Sequence, residues 1–163
     1  MNAVLLFEEV QGGGTKPVRD FCQLLTVIFL LCLVMNLVWQ KGRITELTLG
    51  LFSGLVLLVL VNIFLNVRLI TQITPGGIYV RYAPFHPSFR FYPWYSIDQL
   101  YLRKYNALWE YRGWGYKQGP SGKAFTVSGD IGLQIVLKDQ SKVLIGTNEA
   151  PEMANILRKM NWL

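Results

Sequence analysis

Apolar and polar positions along the chain fall into two regimes. The first is set by two charge-free runs, Phe21 to Gln40 (20 residues) and Leu47 to Val67 (21 residues), separated by the six-residue polar link Lys41 to Glu46. A helix of about 20 mostly apolar residues, rising ~1.5 Å per residue, crosses a hydrocarbon layer of ~30 Å. Both runs therefore predict spanning helices, at about residues 21–40 and 47–67, joined as a membrane hairpin. A hairpin returns the chain to the side it left, so the N-terminal arm (1–20) and the segment 68–163 share one compartment. The first run does not read as a secretory signal: it starts at Phe21, is longer than a signal core of about 7–15 residues, and ends in Asn36-Leu37-Val38-Trp39 rather than at a small-residue cleavage site.

Beyond Arg68 the helical period gives way to alternation. Leu69 to Ile73 and Ile78 to Tyr82 flank Pro75-Gly76-Gly77, which predicts a β-hairpin with Pro and Gly placed for a type II turn. Phe89 to Tyr92, Ile97 to Tyr105, Lys123 to Val127, Leu133 to Lys138 and Lys142 to Ile145 read as further strands. Pro84, Pro87 and Pro93 form corners, and Asp139-Gln140-Ser141 is the last tight turn. Short strands at this spacing predict a small antiparallel barrel or sandwich. A helix over 149–161 closes it, with Met153, Ile156, Leu157 and Met160 on one apolar stripe, Thr147 or Asn148 as its cap and Pro151 in its first turn. In the arm, apolar Ala3 to Phe7 precedes Glu8-Glu9 and a Gly12-Gly13-Gly14 breaker; it is expected to lie against the domain as an added strand.

Charge changes the picture in one respect. From Arg68 onward there are 12 Lys or Arg and 6 Asp or Glu, so the formal +6 of the chain sits wholly in the domain 68–163. A basic domain tethered to a bilayer is drawn to anionic headgroups or an acidic partner; the tether argues against nucleic acid. Near the spans, Lys16, Arg19, Arg68 and Arg81 on the outer flanks outnumber Lys41 and Arg43 in the link, which places both termini in the cytoplasm. Cys22 and Cys32 project to different faces of the first span and read as apolar filler, with no disulfide between them.

Candidate chemistry is sparse. Gly113 to Lys123 is glycine-rich, but Lys117 stands where a phosphate loop needs glycine, Ala124 where it needs Ser or Thr, and a strand follows; it reads as strand and turn. His86 is the single histidine, and Asp98, Glu110, Asp130 and Asp139 are scattered. No catalytic set, metal site or cofactor is expected. In the second span Gly50, Gly54, Asn62 and Asn66, with Ser53 beside them, form a small and polar stripe suited to helix packing or to a membrane partner, with Asn36 in the first span as one candidate partner. Phe85 to Tyr95 gathers six aromatic residues around Arg90; Arg90, Tyr92, Trp94 and Tyr95, with Arg68, fit a membrane interface, while Phe89 and Phe91, alternating with Arg90 and Tyr92, equally fit core positions. Arg103, Lys104, Trp109 and Arg112 fit either a partner-facing edge or an exposed hairpin.

Two spans followed by Gly113-Trp114-Gly115, Lys123-Ala124-Phe125-Thr126-Val127-Ser128-Gly129, Gly132 to Leu137, and Ile145-Gly146-Thr147 with Pro151-Glu152 resemble small bacterial membrane proteins carrying a PH-like domain. The resemblance covers nearly the whole chain. It implies two packed, bent sheets closed by a C-terminal helix, in the bacterial inner membrane. Phosphoinositide-binding PH domains carry basic residues around the first hairpin turn, whereas here that turn is Thr74-Pro75-Gly76-Gly77. The expected task is a non-enzymatic accessory or assembly subunit of a larger integral membrane protein complex, or alternatively a module that binds the anionic lipid of the phospholipid bilayer.

Overall fold

The computed structural model describes residues 5–12, 16–41, 45–119 and 121–162. It divides into a helical unit, Gly13–Asn66, and a second unit assembled from Met1–Gly12 and Val67–Leu163.

In the helical unit α1 (Lys16–Trp39) and α2 (Glu46–Asn66) pack on each other as a hairpin. Both are long and apolar enough to cross a membrane, with mean hydropathy 2.5 and 2.4. Only Leu33 and Thr48 are buried on them, so the apolar side chains mostly face outward, as helices solvated by hydrocarbon do. The first helix begins five residues before the charge-free run, because Pro17 is tolerated in a first turn and nothing up to Phe21 breaks the helix. The start of α2 is a reciprocal cap: Thr48 N donates to Thr45 Oγ1 and Thr45 N to Thr48 Oγ1, both at 3.3 Å.

In the other unit β1 (Phe7–Gly12), β2 (Arg68–Thr74), β3 (Gly77–Ala83) and β4 (Arg90–Pro93) form a four-stranded antiparallel sheet in chain order. One 3-10 turn, Trp94–Ser96, leads to β5 (Ile97–Lys104), α3 (Ala107–Tyr111), β6 (Gly115–Gly119), β7 (Gly122–Thr126), β8 (Ile131–Leu137), β9 (Lys142–Gly146) and α4 (Ala150–Lys159). The five later strands make a second sheet, ordered β5-β8-β9-β7-β6. Leu69, Ile73, Ile78 and Val80 from the first sheet meet Phe125, Leu133, Ile135 and Ile145 from the second, and Met153 and Leu157 of α4 complete the same core. Burying each such side chain contributes about 1.5–3 kcal/mol.

The arm joins this unit as a strand, but at Phe7–Gly12 rather than Ala3 to Phe7, because alternation there turns Phe7, Glu9 and Gln11 inward. Ala3 itself lies outside the described residues. Gly12 of the expected breaker is the last strand residue; its φ of +78° favours glycine, and a Cβ there would stand 2.7 Å from Val127 Cγ1. Gly12 pairs with Arg68, so the helical hairpin is an insertion between two neighbouring strands of one sheet.

Five local expectations are corrected. Gly76 is not in the left-handed region that a type II turn requires, since its carbonyl and that of Thr74 are turned toward the Trp94 backbone and indole N–H. In β4 the parity is opposite to a core role for Phe91: Phe91 is exposed and stacks on Tyr79, while Tyr92 packs against the core. Between Lys104 and Gly115 the chain forms α3 instead of an extended hairpin, capped by the Asn106 side chain, which accepts from Leu108 N and Trp109 N at 3.1 Å. The sandwich is not wholly antiparallel: β7 runs parallel to β9, because the β6–β7 hairpin is inserted between β5 and β8. At α4 the cap position falls to Glu149, and Thr147 Oγ1 accepts from Glu149 N at 3.1 Å.

Candidate functional site

The hairpin stripe divides into two groups. Gly54 faces α1 so closely that a Cβ would stand 2.6 Å from Phe29 Cε1. Asn62 Nδ2 donates to Thr26 Oγ1 at 2.8 Å and to Leu58 O at 2.9 Å, and Asn66 Nδ2 donates to Asn62 O at 2.7 Å. Asn36 is not joined to these amides; its Oδ1 accepts from the Thr48 hydroxyl at 2.8 Å. Gly54, Asn62 and the Asn36–Thr48 pair are consumed in packing the two helices, where side-chain hydrogen bonds contribute roughly 0.6–2 kcal/mol each in lipid, whereas the Asn66 bond lies within α2. Gly50 meets nothing within 4 Å, and Ser53, exposed, donates back to Gly50 O at 2.9 Å. Those two are the open part of the stripe.

The aromatic segment is also split. Arg90 points inward, with its guanidinium carbon 5.0 Å from the Tyr116 ring centre and 5.7 Å from that of Phe125. Its Nη2 donates to His86 Nε2 at 3.1 Å, which requires the neutral ring with its proton on Nδ1. Burial, reinforced by the Arg90 charge, lowers the His86 pKa and favours that neutral form. His86 Nδ1 is buried and has no hydrogen-bond partner among the described residues. Trp94 stacks on Trp162 at 4.8 Å and donates to Thr74 O, while Tyr95 beside it stays 79% exposed. Both lie next to the Thr74–Gly77 turn, at the end of the first sheet away from Arg68. Arg68, Trp94 and Tyr95 thus do not form one patch.

Around α3, Arg103 donates to Glu110 Oε2 at 2.7 Å and to Gln134 Oε1 at 3.0 Å. The Arg103 hydrogen bond is the main cause holding the Glu110 carboxyl below its usual range. Arg103 is therefore tied to the fold, whereas Lys104, Trp109 and Arg112 are exposed. Arg112 ends the helix in the left-handed region, φ 59°, ψ 37°. Tyr105 donates to Ser128 O at 3.3 Å, and burial pushes its hydroxyl up to about 12.

Sequence reasoning missed two positioning groups, both buried: Glu9 and Gln11. Glu9 accepts from Thr147 Oγ1 and Asn148 N, and Gln11 Nε2 donates to Gly146 O at 2.6 Å. The signal was the polar residue at every second position of a strand whose first inward residue, Phe7, is apolar.

No three His, Cys, Asp or Glu groups converge at metal-binding distance among the described residues. Comparison with known proteins gives no match: no family model, no curated protein and no solved structure is similar to the chain.

Proposed function

We propose that the chain is a non-enzymatic membrane-anchored interaction module. It acts as an accessory or assembly subunit that presents a PH-like domain, at the cytoplasmic face of a bacterial inner membrane, to a larger integral membrane protein complex. The observation that carries this reading is the insertion of the hairpin between paired strands. β1 and β2 are neighbours, and a single residue, Val67, separates the end of α2 from β2, so the domain is built directly around its anchor. A domain that only needed tethering could hang from one span and a linker. The PH-like assignment draws support from two consecutive meanders, β2-β3-β4 and β5-β8-β9, followed by α4. The element α3-β6-β7 is then an addition to that plan.

The partner surface within the bilayer is the open side of α2 at Gly50 and Ser53. A photo-crosslinking residue at Ser53 should yield a defined adduct with another membrane protein in native membranes, and one at Phe29, inside the helix pair, should not. Monomeric chain in mild detergent with no adduct from Ser53 would overturn the reading.

A further inference from the structure

Three of the exposed aromatic groups of the two-sheet unit, Phe85, Trp109 and Trp114, gather at one end of it. Gly12 and Arg68, where the chain leaves and rejoins this unit, are paired; Arg68 in turn pairs with Ala83, and two residues further on Phe85 is 61% exposed. The turn between β7 and β8 stands at the same end, because Val127 is the side chain that a Cβ at Gly12 would strike. That turn holds the other aromatics. Trp114 Nε1 donates to Gly129 O at 3.5 Å, Tyr105 N donates to Asp130 O at 2.8 Å, and α3 follows two residues later. Trp114 is 49% exposed, and on α3 Leu108 is 61% and Trp109 88% exposed. Arg68, Lys104 and Arg112 supply positive charge in the same region; Arg103 neutralises Glu110, and the anions left at this end are Asp130, the buried Glu9 bound to Thr147 and Asn148, and Glu149 beside them.

We propose that this rim is a foot resting on the bilayer: Phe85, Leu108, Trp109 and Trp114 sit at the headgroup level of an anionic phospholipid surface, with Arg68, Lys104 and Arg112 against its phosphates. The inference rests on the reading that the hairpin spans the membrane. Connectivity then commits the occupant. Arg68 follows α2 by two residues, at most about 7 Å of chain, so the end of the sandwich that carries Arg68 lies at the membrane surface. Trp and Tyr favour that depth because the ring is apolar and its polar atom stays wet. Rim cations add electrostatic attraction to an anionic surface. Tyr95, equally exposed but at the opposite end, has no such role.

The test uses the full chain in lipid nanodiscs, with Cys22 and Cys32 replaced by Ser and single nitroxide labels introduced through Trp109→Cys, Phe85→Cys, Tyr95→Cys or Leu57→Cys. Accessibility to oxygen, which partitions into lipid, is compared with accessibility to a water-soluble nickel chelate. Positions 85 and 109 should show an oxygen-to-nickel ratio several-fold above position 95, and the ratio should rise when phosphatidylglycerol replaces part of the phosphatidylcholine. If 85 and 109 are as water-accessible as 95 while 57 remains in lipid, the foot is overturned and the hairpin stands. If 57 is water-accessible, the spanning reading fails and takes the foot with it. Water exposure of 109 in pure lipid with protection only in native membranes would assign the rim to a protein partner and overturn the lipid occupant.

Discussion

Glu9 accepts a 2.6 Å hydrogen bond from the Thr147 hydroxyl, joining the strand before the hairpin to the connection before α4, 138 residues away. The same carboxylate accepts from Asn148 N at 2.7 Å, so one buried side chain satisfies two donors at the start of the last helix. Glu9→Ala leaves the buried Thr147 hydroxyl and the partly buried Asn148 N–H without this acceptor and should destabilise the two-sheet unit by about 1–3 kcal/mol. Glu9→Gln, which keeps an acceptor oxygen, should cost less. Thermal unfolding in detergent, followed by tryptophan fluorescence, measures both; an unchanged midpoint for Glu9→Ala would show that the latch contributes nothing.

Gly54 is the close-contact point of the helix pair. Gly54→Leu forces its side chain into Phe29 and should weaken the α1–α2 association by about 1–3 kcal/mol, while Gly50→Leu, facing open space, should be nearly neutral in the isolated chain. Adding Phe29→Ala to Gly54→Leu should recover part of the loss. Reversible unfolding of the hairpin in mixed micelles distinguishes them, and equal effects at 50 and 54 would contradict the packing described.

Gly122 has φ +99°, and a Cβ there would collide with the Lys142 carbonyl, across the parallel β7–β9 pair. Gly122→Ala should therefore lower stability by more than the ~1–2 kcal/mol of a left-handed residue alone. Gly119→Ala in the same hairpin meets nothing within 4 Å and should change little. Amide hydrogen exchange along β7 and β9 is the direct measurement, with protection lost in the first variant only.

His86 gives the fold a pH dependence. Its folded pKa lies below the ordinary 6.5, with burial the first cause and Arg90 the second. Between those two values the unfolded chain holds more protons than the folded one, so stability is full above the unfolded pKa and is lost as pH falls through the lowered folded value. Unfolding midpoints recorded from neutral pH down to about 5 should fall. In His86→Gln, which removes the titration, that part of the slope should vanish; a slope unchanged by the substitution would assign it to other groups.

Much of the architecture is legible in the sequence, for physical reasons that can be named. Charge-free runs longer than a bilayer is thick have few solutions other than long apolar helices, and the twofold alternation of Leu69 to Ile73 and Ile78 to Tyr82 leads directly to β2 and β3. Alternation does not say which parity faces in. Arg90 is on the inner side of β4 because the rings of Tyr116 and Phe125, distant in sequence, offer their faces to its guanidinium. The helix α3 did leave a local signal, Asn106 with Glu110 four residues on, whose carboxylate accepts from Asn106 N at 2.9 Å. The parallel β7–β9 pair left none, since it depends on where an inserted hairpin docks. Likewise the Gly50 to Asn66 spacing marks a packing stripe, but only Phe29 and Thr26 opposite Gly54 and Asn62 show which members are spent inside the hairpin.

With the hairpin spanning a membrane as proposed, insertion of both helices between β1 and β2 makes the fold a check on its own biosynthesis. As the chain emerges, β1 is made first and must wait for β2, which is encoded on the far side of two helices. If only one helix crosses, β1 and β2 end on opposite sides of the membrane. The outer edge of β2 is then unpaired, and Thr147 and Asn148 lose their carboxylate. Only chains threaded an even number of times can close the sheet, and a misthreaded chain displays a raw strand edge, the kind of surface that quality-control proteases and chaperones engage.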